Sequence, residues 1–136
     1  HQSDGVLDSM SEWCKAHHNA SGLTERCRNS KLNEAAAEEA ILQFLRQYVP
    51  ENTSPICGNS VGQDKRFILK YMPKLGAFFH YRCLDVSTIK ILAQRWCPDI
   101  MDGVVKKESH LALDDIRESI EELKYYRDCG FIGLRK

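Results

Sequence analysis

Neither sign of charge is in surplus. Lys plus Arg number 19 and Asp plus Glu number 19, so the formal net charge is zero. A protein that grips long nucleic acid carries a basic excess, because its affinity comes from neutralising phosphates. The balance excludes an extended basic track and leaves room for a short substrate held at one local site. No apolar run approaches the ~18 residues that a membrane span requires, and no membrane partner is expected. Nothing at the N-terminus reads as a signal or transit peptide. No CxxC is present either: Cys14, Cys27, Cys57, Cys83, Cys97 and Cys129 are never closer than 13 positions. That scatter argues against a structural zinc site, and with it against a Cys/His zinc protein. A chain this long and this rich in helix patterns has no need of disulfides. The six cysteines read as reduced thiols packed as small hydrophobes in a reducing compartment.

What is present is ordinary for a globular chain: 43% apolar and 28% charged residues over 136 positions. The length points to one domain spanning residues 1–136, able to bury roughly two-thirds of its unfolded surface. The first residue is His1, not Met, so either the chain is processed or further sequence lies ahead of it.

Periodicity predicts a helix over 4–16, with Val6, Met10, Trp13 and Cys14 recurring on one face and Ser3 or Asp4 as cap. Residues 19–22 read as a loop, and 24–28 as a short helical turn. The most regular pattern spans 31–48. There Ala36, Ala37, Ala40, Ile41, Phe44, Leu45 and Tyr48 form one stripe, Asn29 or Ser30 supplies the cap, and Pro50 stops the helix. Pro55-Ile56-Cys57 reads as a buried strand, followed by a helix over 63–71 that Pro73 stops. A second strand is expected over 81–86. A helix over 87–96 follows, with Ile89, Leu92, Ala93 and Trp96 on one face. Residues 99–108 read as an exposed loop carrying Lys106 and Lys107. The last helix covers 110–127, with Leu113, Ile116, Ile120 and Leu123 inward. Helices with two short strands describe an α/β domain whose sheet is thin, as if its opening strands were absent.

Three positions suggest chemistry. Asp64 follows the Gly58-Asn59-Ser60 loop at a strand-to-helix junction, and His110 and Asp115 stand four residues apart in between at the start of the last helix. Carboxylates from separate elements suit hard cations, and a histidine titrating near neutrality can take a proton from water. The same acids also suit first-turn positions, where the helix dipole favours Asp64, Asp114 and Asp115. If His110 were helical it would face Asp114, so pairing it with Asp115 requires His110 to sit in the loop or cap.

Two strings carry a resemblance. The run 58–67, Gly58-Asn59-Ser60-Val61-Gly62-Gln63-Asp64-Lys65-Arg66-Phe67, continues into Lys70-Tyr71-Met72-Pro73 and His80-Tyr81-Arg82-Cys83-Leu84-Asp85-Val86-Ser87-Thr88. It resembles the second exonuclease motif of the oligoribonuclease family. The run 109–119, with His110 and Asp115 in H-x4-D spacing, resembles the third. The likeness extends from the first residues to about position 127. The resemblance implies an RNase H-like exonuclease domain of the DEDDh 3′-to-5′ class, helix-rich here and without its opening strands. It implies two-metal-ion hydrolysis of short single-stranded RNA, down to dinucleotides, with Mg²⁺ or Mn²⁺. Asp64 and Asp115 then match two metal ligands and His110 the general base. The family's other two acids lie in a D-x-E motif, which these 136 residues do not contain; Asp4 and Asp8 do not fit it.

The resemblance further implies that Ser60, Arg82, Ser87 and Thr88 cap the 5′ phosphate, and that Trp13 wedges against a base. It implies a homodimer in which His80, on the substrate side, and Tyr81, in the catalytic set, reach the partner's active site. The plain alternatives are a surface Arg82, helix caps at Ser87 or Thr88, core packing for Trp13 and a satisfied core pair for His80 and Tyr81. The compartment expected is the cytoplasm, or the mitochondrion in a eukaryotic host. Against the exoribonuclease stands a second reading suggested by the absent D-x-E: a non-catalytic relative that binds RNA ends or only dimerises.

Overall fold

Serine and glycine divide the N-terminal third into short helices. The computed structural model of the chain describes residues 1–104 and 112–131. Helices α1 (Asp4–Asp8) and α2 (Glu12–Ala20) replace the single helix expected over 4–16 and leave only Ser21 and Gly22 of the loop expected over 19–22, while α3 (Leu23–Asn29) stands where the helical turn over 24–28 was expected. Ser11 is the reason for the first break: its hydroxyl accepts a hydrogen bond from the Cys14 amide at 3.3 Å and caps α2. Gly22, at φ +70°, takes the left-handed turn into α3 that other residues avoid. Leu7 is the buried residue of α1, whereas Val6 and Trp13 of the expected stripe are exposed.

Helix α4 (Glu34–Leu45) begins later than its pattern suggested, because Asn33 is the cap, accepting from the Ala36 amide at 2.9 Å. Ser30 instead accepts from the Leu32 amide ahead of the helix. The inward face also differs. It runs through Glu38, Leu42, Leu45 and Val49; Leu45 of the expected stripe lies on it, but Ile41, Phe44 and Tyr48 stand one position back. One residue is about 100° of helix rotation, and Phe44 and Tyr48 stand 57% and 68% exposed. The choice of face follows from Glu38. Its buried carboxylate accepts the Leu75 amide at 2.9 Å, one of the N–H groups that the start of the next-but-one helix leaves unpaired. Leu42 then packs against Leu75 and Phe78, with Leu45, Val49, Ile68, Met72 and Phe79 around them.

The strands β1 (Pro55–Gly58) and β2 (His80–Asp85) pair in parallel. Parallel pairing needs a long crossover. Here it is supplied by α5 (Gly62–Tyr71) and α6 (Pro73–Phe78). Pro73 ends the first and opens the second, as its fixed φ and missing N–H require. Helix α7 (Val86–Trp96) leaves β2 directly, a 3₁₀ turn spans Pro98–Gly103, and α8 (Ala112–Asp128) closes the fold. Val86, Ala93 and Tyr126 form a second core with Ile89, Ile100, Leu123 and Phe131. A Cβ at Gly103 would run into the Tyr125 ring, so glycine permits that close approach, and the Tyr125 hydroxyl donates to the Ile100 carbonyl.

Several expectations are corrected here. In α8 the buried positions are Glu122 and Tyr126. Leu123 is half-buried as predicted, but Leu113, Ile116 and Ile120 are exposed. Trp96 is exposed rather than inward. Residues 99–103 are helical rather than looped; Lys106, Lys107 and His110 lie outside the described residues. All six cysteines are free, yet none is buried: Cys57, Cys83, Cys97 and Cys129 are exposed and Cys14 and Cys27 half-buried. Cys97 and Cys129 follow the ends of α7 and α8, while Cys57 and Cys83 lie on the narrow two-stranded sheet. No helix among the described residues is long and apolar enough to cross a membrane.

The two faces of α4 make opposite predictions. Leu42→Ala should lower unfolding free energy by about 3 kcal/mol, and Phe44→Ala by less than about 1 kcal/mol. Urea unfolding checks both; the reverse order would contradict the inward face.

Candidate active site

The register of the two strands brings two corners together. Gly58 pairs with Asp85, so the turns that leave the C-terminal ends of β1 and β2 lie side by side. Open α/β sheets bind ligands at such strand ends. Ser60, in the first turn, has φ +53°, a conformation a serine seldom holds without partners. Its amide donates to Asp85 Oδ1 at 2.9 Å and to Ser87 Oγ at 3.0 Å, and the two serine hydroxyl oxygens lie 3.2 Å apart. Asp85 Oδ1 also accepts the Ser87 amide at 2.9 Å and so caps α7. The structure therefore brings Ser60 and Ser87 together, and Thr88 follows, exposed, in the first turn of α7. Asp85 was missed as a site residue, although an Asp before Val-Ser-Thr at a helix start is a cap signal.

Arg82 does not join that cluster. Its guanidinium carbon lies 5.5 Å from the centroid of the Tyr81 ring, within cation–π range. His80 lies on the other side of Tyr81 in the chain, the two rings tilted by 35° with centroids 4.4 Å apart. The Arg82 amide donates to His80 Nδ1 at 3.2 Å, so a neutral ring there carries its proton on Nε2. Tyr81 is 73% exposed, which removes the core-pair alternative. Lys65 of α5 fastens this strand by donating to the Tyr81 carbonyl at 2.6 Å and reaching Cys83 Sγ at 3.5 Å.

Asp64 and Asp115 occupy the first turns of α5 and α8. Both are exposed, and neither carboxylate has a hydrogen bond or ion pair among the described residues. Asp114, by contrast, pairs with Arg117 at 3.7 Å, which separates the two adjacent acids by role. Among the described residues no three His, Cys, Asp or Glu side chains come together as a metal-ligand group. Asp4, already set aside as a match to the early acids, is engaged by Arg28 at 2.8 Å.

A buried network joins the first corner to α8. Asn59 Nδ2 donates to Glu122 Oε2 at 3.1 Å, and the Tyr126 hydroxyl donates to Glu122 Oε1 at 2.9 Å. Burial, and then the Glu122 carboxylate, push the Tyr126 hydroxyl well above the ordinary tyrosine range. The hydroxyl thus stays a donor throughout the neutral range. Through Glu122 the loop that carries Ser60 and leads to Asp64 is tied to the helix that carries Asp115. Sequence patterns gave no signal for this pair, whose members are 63 positions apart. Trp13 stands apart on α2, 64% exposed and stacked on His17 at 3.8 Å; it is a surface aromatic, not core.

A parallel strand pair whose two corners adjoin, flanked by helices, is the arrangement to be compared with known proteins. The sequence profile of the RNase T family, described as exonuclease, matches residues 1–123. Oligoribonuclease of Marinobacter nauticus is 60% identical over 131 residues, 96% of this chain and 73% of the relative. That of Mannheimia succiniciproducens is 61% identical over 134 residues, 98% of this chain and 72% of the relative. That of Alcanivorax borkumensis is 62% identical over 128 residues, 94% and 71% of the two chains. The chain belongs to the oligoribonuclease family of exonucleases, and its α/β architecture is an RNase H-like exonuclease domain.

The network predicts a pH effect. A tyrosine whose folded pKa lies above its unfolded value, about 10, stabilises the fold below that pH and ceases to as pH rises through the folded value. The urea midpoint should therefore fall above about pH 10. Tyr126→Phe should flatten that fall and cost about 1–2 kcal/mol at neutral pH by leaving Glu122 one donor short. A neutral midpoint unmoved by the substitution would contradict the network.

Proposed function

We propose that residues 1–136 form one exonuclease domain that degrades short oligoribonucleotides, dinucleotides included, to mononucleotides in the 3′-to-5′ direction. The Ser60–Asp85–Ser87 cluster beside the start of α5 is the observation that carries this reading. It offers two hydroxyls at a helix N-terminus, a setting that favours an anion. Capping a terminal phosphate there positions a short RNA from one end. Arg82, exposed and held by Tyr81, adds a cationic fork suited to phosphate, and Thr88 a further hydroxyl. Trp13 is free on its outer face to stack a base without regard to sequence. Zero net charge suits a substrate gripped at one pocket rather than along a track.

The donor chemistry at the other end is hard oxygen. Asp64 and Asp115, lacking cationic partners among the described residues, would hold a divalent ion of the Mg²⁺ or Mn²⁺ type. They are two ligands and not a complete set. When bound, such an ion activates water and stabilises the leaving oxygen. His110 then takes the proton from the attacking water. The exposure of Tyr81, with His80 beside it, supports a homodimer in which this platform reaches the partner's site. The named relatives are bacterial proteins, in keeping with a cytoplasmic enzyme.

A second reading is a chain that binds RNA ends or dimerises without turnover: the Ser60–Ser87 hydroxyl pair and the exposed Tyr81 would serve it without any chemical step. Incubation of this chain with a 5′-phosphorylated diribonucleotide and Mn²⁺ separates the two. Release of mononucleotides that His110→Ala abolishes, with dimerisation retained, supports the exoribonuclease. An intact dinucleotide with a folded protein supports the second reading. Arg82→Ala should erode the preference for dinucleotides that carry a 5′ phosphate; an unchanged length preference would remove Arg82 from the cap.

A further inference from the structure

We propose that Asp85 is the positioning residue that turns Ser60 and Ser87 into donors for a terminal phosphate, and so sets the preference for 5′-phosphorylated RNA. The inference rests on the phosphate-capping reading above. One carboxylate oxygen, Asp85 Oδ1, accepts both the Ser60 and the Ser87 amides at 2.9 Å. Those N–H groups are thereby spent inward and are not presented to a ligand. What remains is set by the same bonds. Ser87 Oγ accepts the Ser60 amide at 3.0 Å, so its own hydrogen is free to donate. With the two hydroxyl oxygens 3.2 Å apart, one hydroxyl hydrogen can bridge them and the other points out. A pair of hydroxyls so ordered presents a donor, which selects an anionic oxygen over a neutral 5′ hydroxyl.

Asp85 does a second thing. Ser60 at φ +53° is in a region serine leaves readily unless its surroundings hold it. The bonds from its amide to Asp85 and to Ser87, 25 and 27 residues away, are long-range contacts that hold it, and Asp85 also fixes Ser87. The negative charge of Asp85 beside an anion site is offset by the two N–H groups it accepts and by the N-terminal end of α7. Capping the helix and placing the loop are therefore two separable duties of one side chain.

Substitution separates them. Asp85→Ser keeps a good helix cap, but a side chain one bond shorter falls short of the Ser60 amide. Asp85→Asn keeps an acceptor oxygen at the same reach. Affinity for pUpU and UpU, measured by titration calorimetry with EDTA present, reads the cradle without turnover or metal. The unsubstituted chain should prefer pUpU. Asp85→Ser should lower pUpU affinity about tenfold more than UpU affinity, and Asp85→Asn should retain the preference. An equal loss for both ligands in Asp85→Ser, or an unaltered preference, would overturn the positioning role while leaving the cap intact. Should Asp85→Ser not fold, loss of the preference in a folded Asp85→Asn would overturn it as well. No preference in the unsubstituted chain would instead overturn the capping reading, and the proposal with it.

Discussion

The bond from the Ser60 amide to the Asp85 carboxylate is the constraint around which the site is arranged. Two strands of four and six residues make a marginal sheet. Their register nevertheless matters, because pairing Gly58 with Asp85 places both strand-to-helix corners at one end. The Ser60–Asp85 bond then locks one corner to the other. From the locked corner, Asn59 reaches Glu122 of α8 and Asp64 begins α5. A short parallel ladder thus fixes the relative placement of the Ser60–Ser87 hydroxyl pair and the start of α5.

Both buried carboxylates serve this arrangement. Glu38 satisfies an amide at the start of α6, and Glu122 is bonded by Asn59 and Tyr126. A buried carboxylate is tolerated when it is bonded. The bonds from Leu75 to Glu38 and from Asn59 to Glu122 join elements far apart in the chain, whereas the Tyr126 bond lies within α8, so removing a partner strands a charge and, for the first two, also loosens a helix. Tyr126, wholly buried, is at once the centre of the second core and a donor in the polar network.

Those same carboxylates explain what was hidden in the sequence. The strands at 55–58 and 80–85, the helix after Gly62 and the helix after Asp85 were legible, because proline, glycine and capping residues punctuate them. The inward faces of α4 and α8 were not. Reading the apolar stripe chose Ile41 and Phe44 over Leu42, and Leu113, Ile116 and Ile120 over Tyr126. A glutamate counts as polar in such a pattern, and only the tertiary partner reveals that it belongs inside. The cysteines failed for a related reason: their chemistry suits burial, but their positions at helix ends and on a narrow sheet do not. Of the candidate residues the motif singled out, Ser60 and Ser87 come together in the fold, whereas Arg82 lies over Tyr81 instead. Asp85 carried a local cap signal, but its bond to Ser60 spans 25 positions and that of Glu122 to Asn59 spans 63, beyond the reach of any local pattern.

The most direct test of the locked corner is the native-state hydrogen exchange of a single amide. Ser60 has an exposed side chain in a loop, and an amide in such a place ordinarily exchanges at the rate of an open chain. The account predicts that the Ser60 amide is protected as strongly as the amides of α7, since it is bonded to Asp85 and Ser87. Exchange as fast as that of an unstructured peptide would contradict it, and would mean that the two corners are neighbours without being joined.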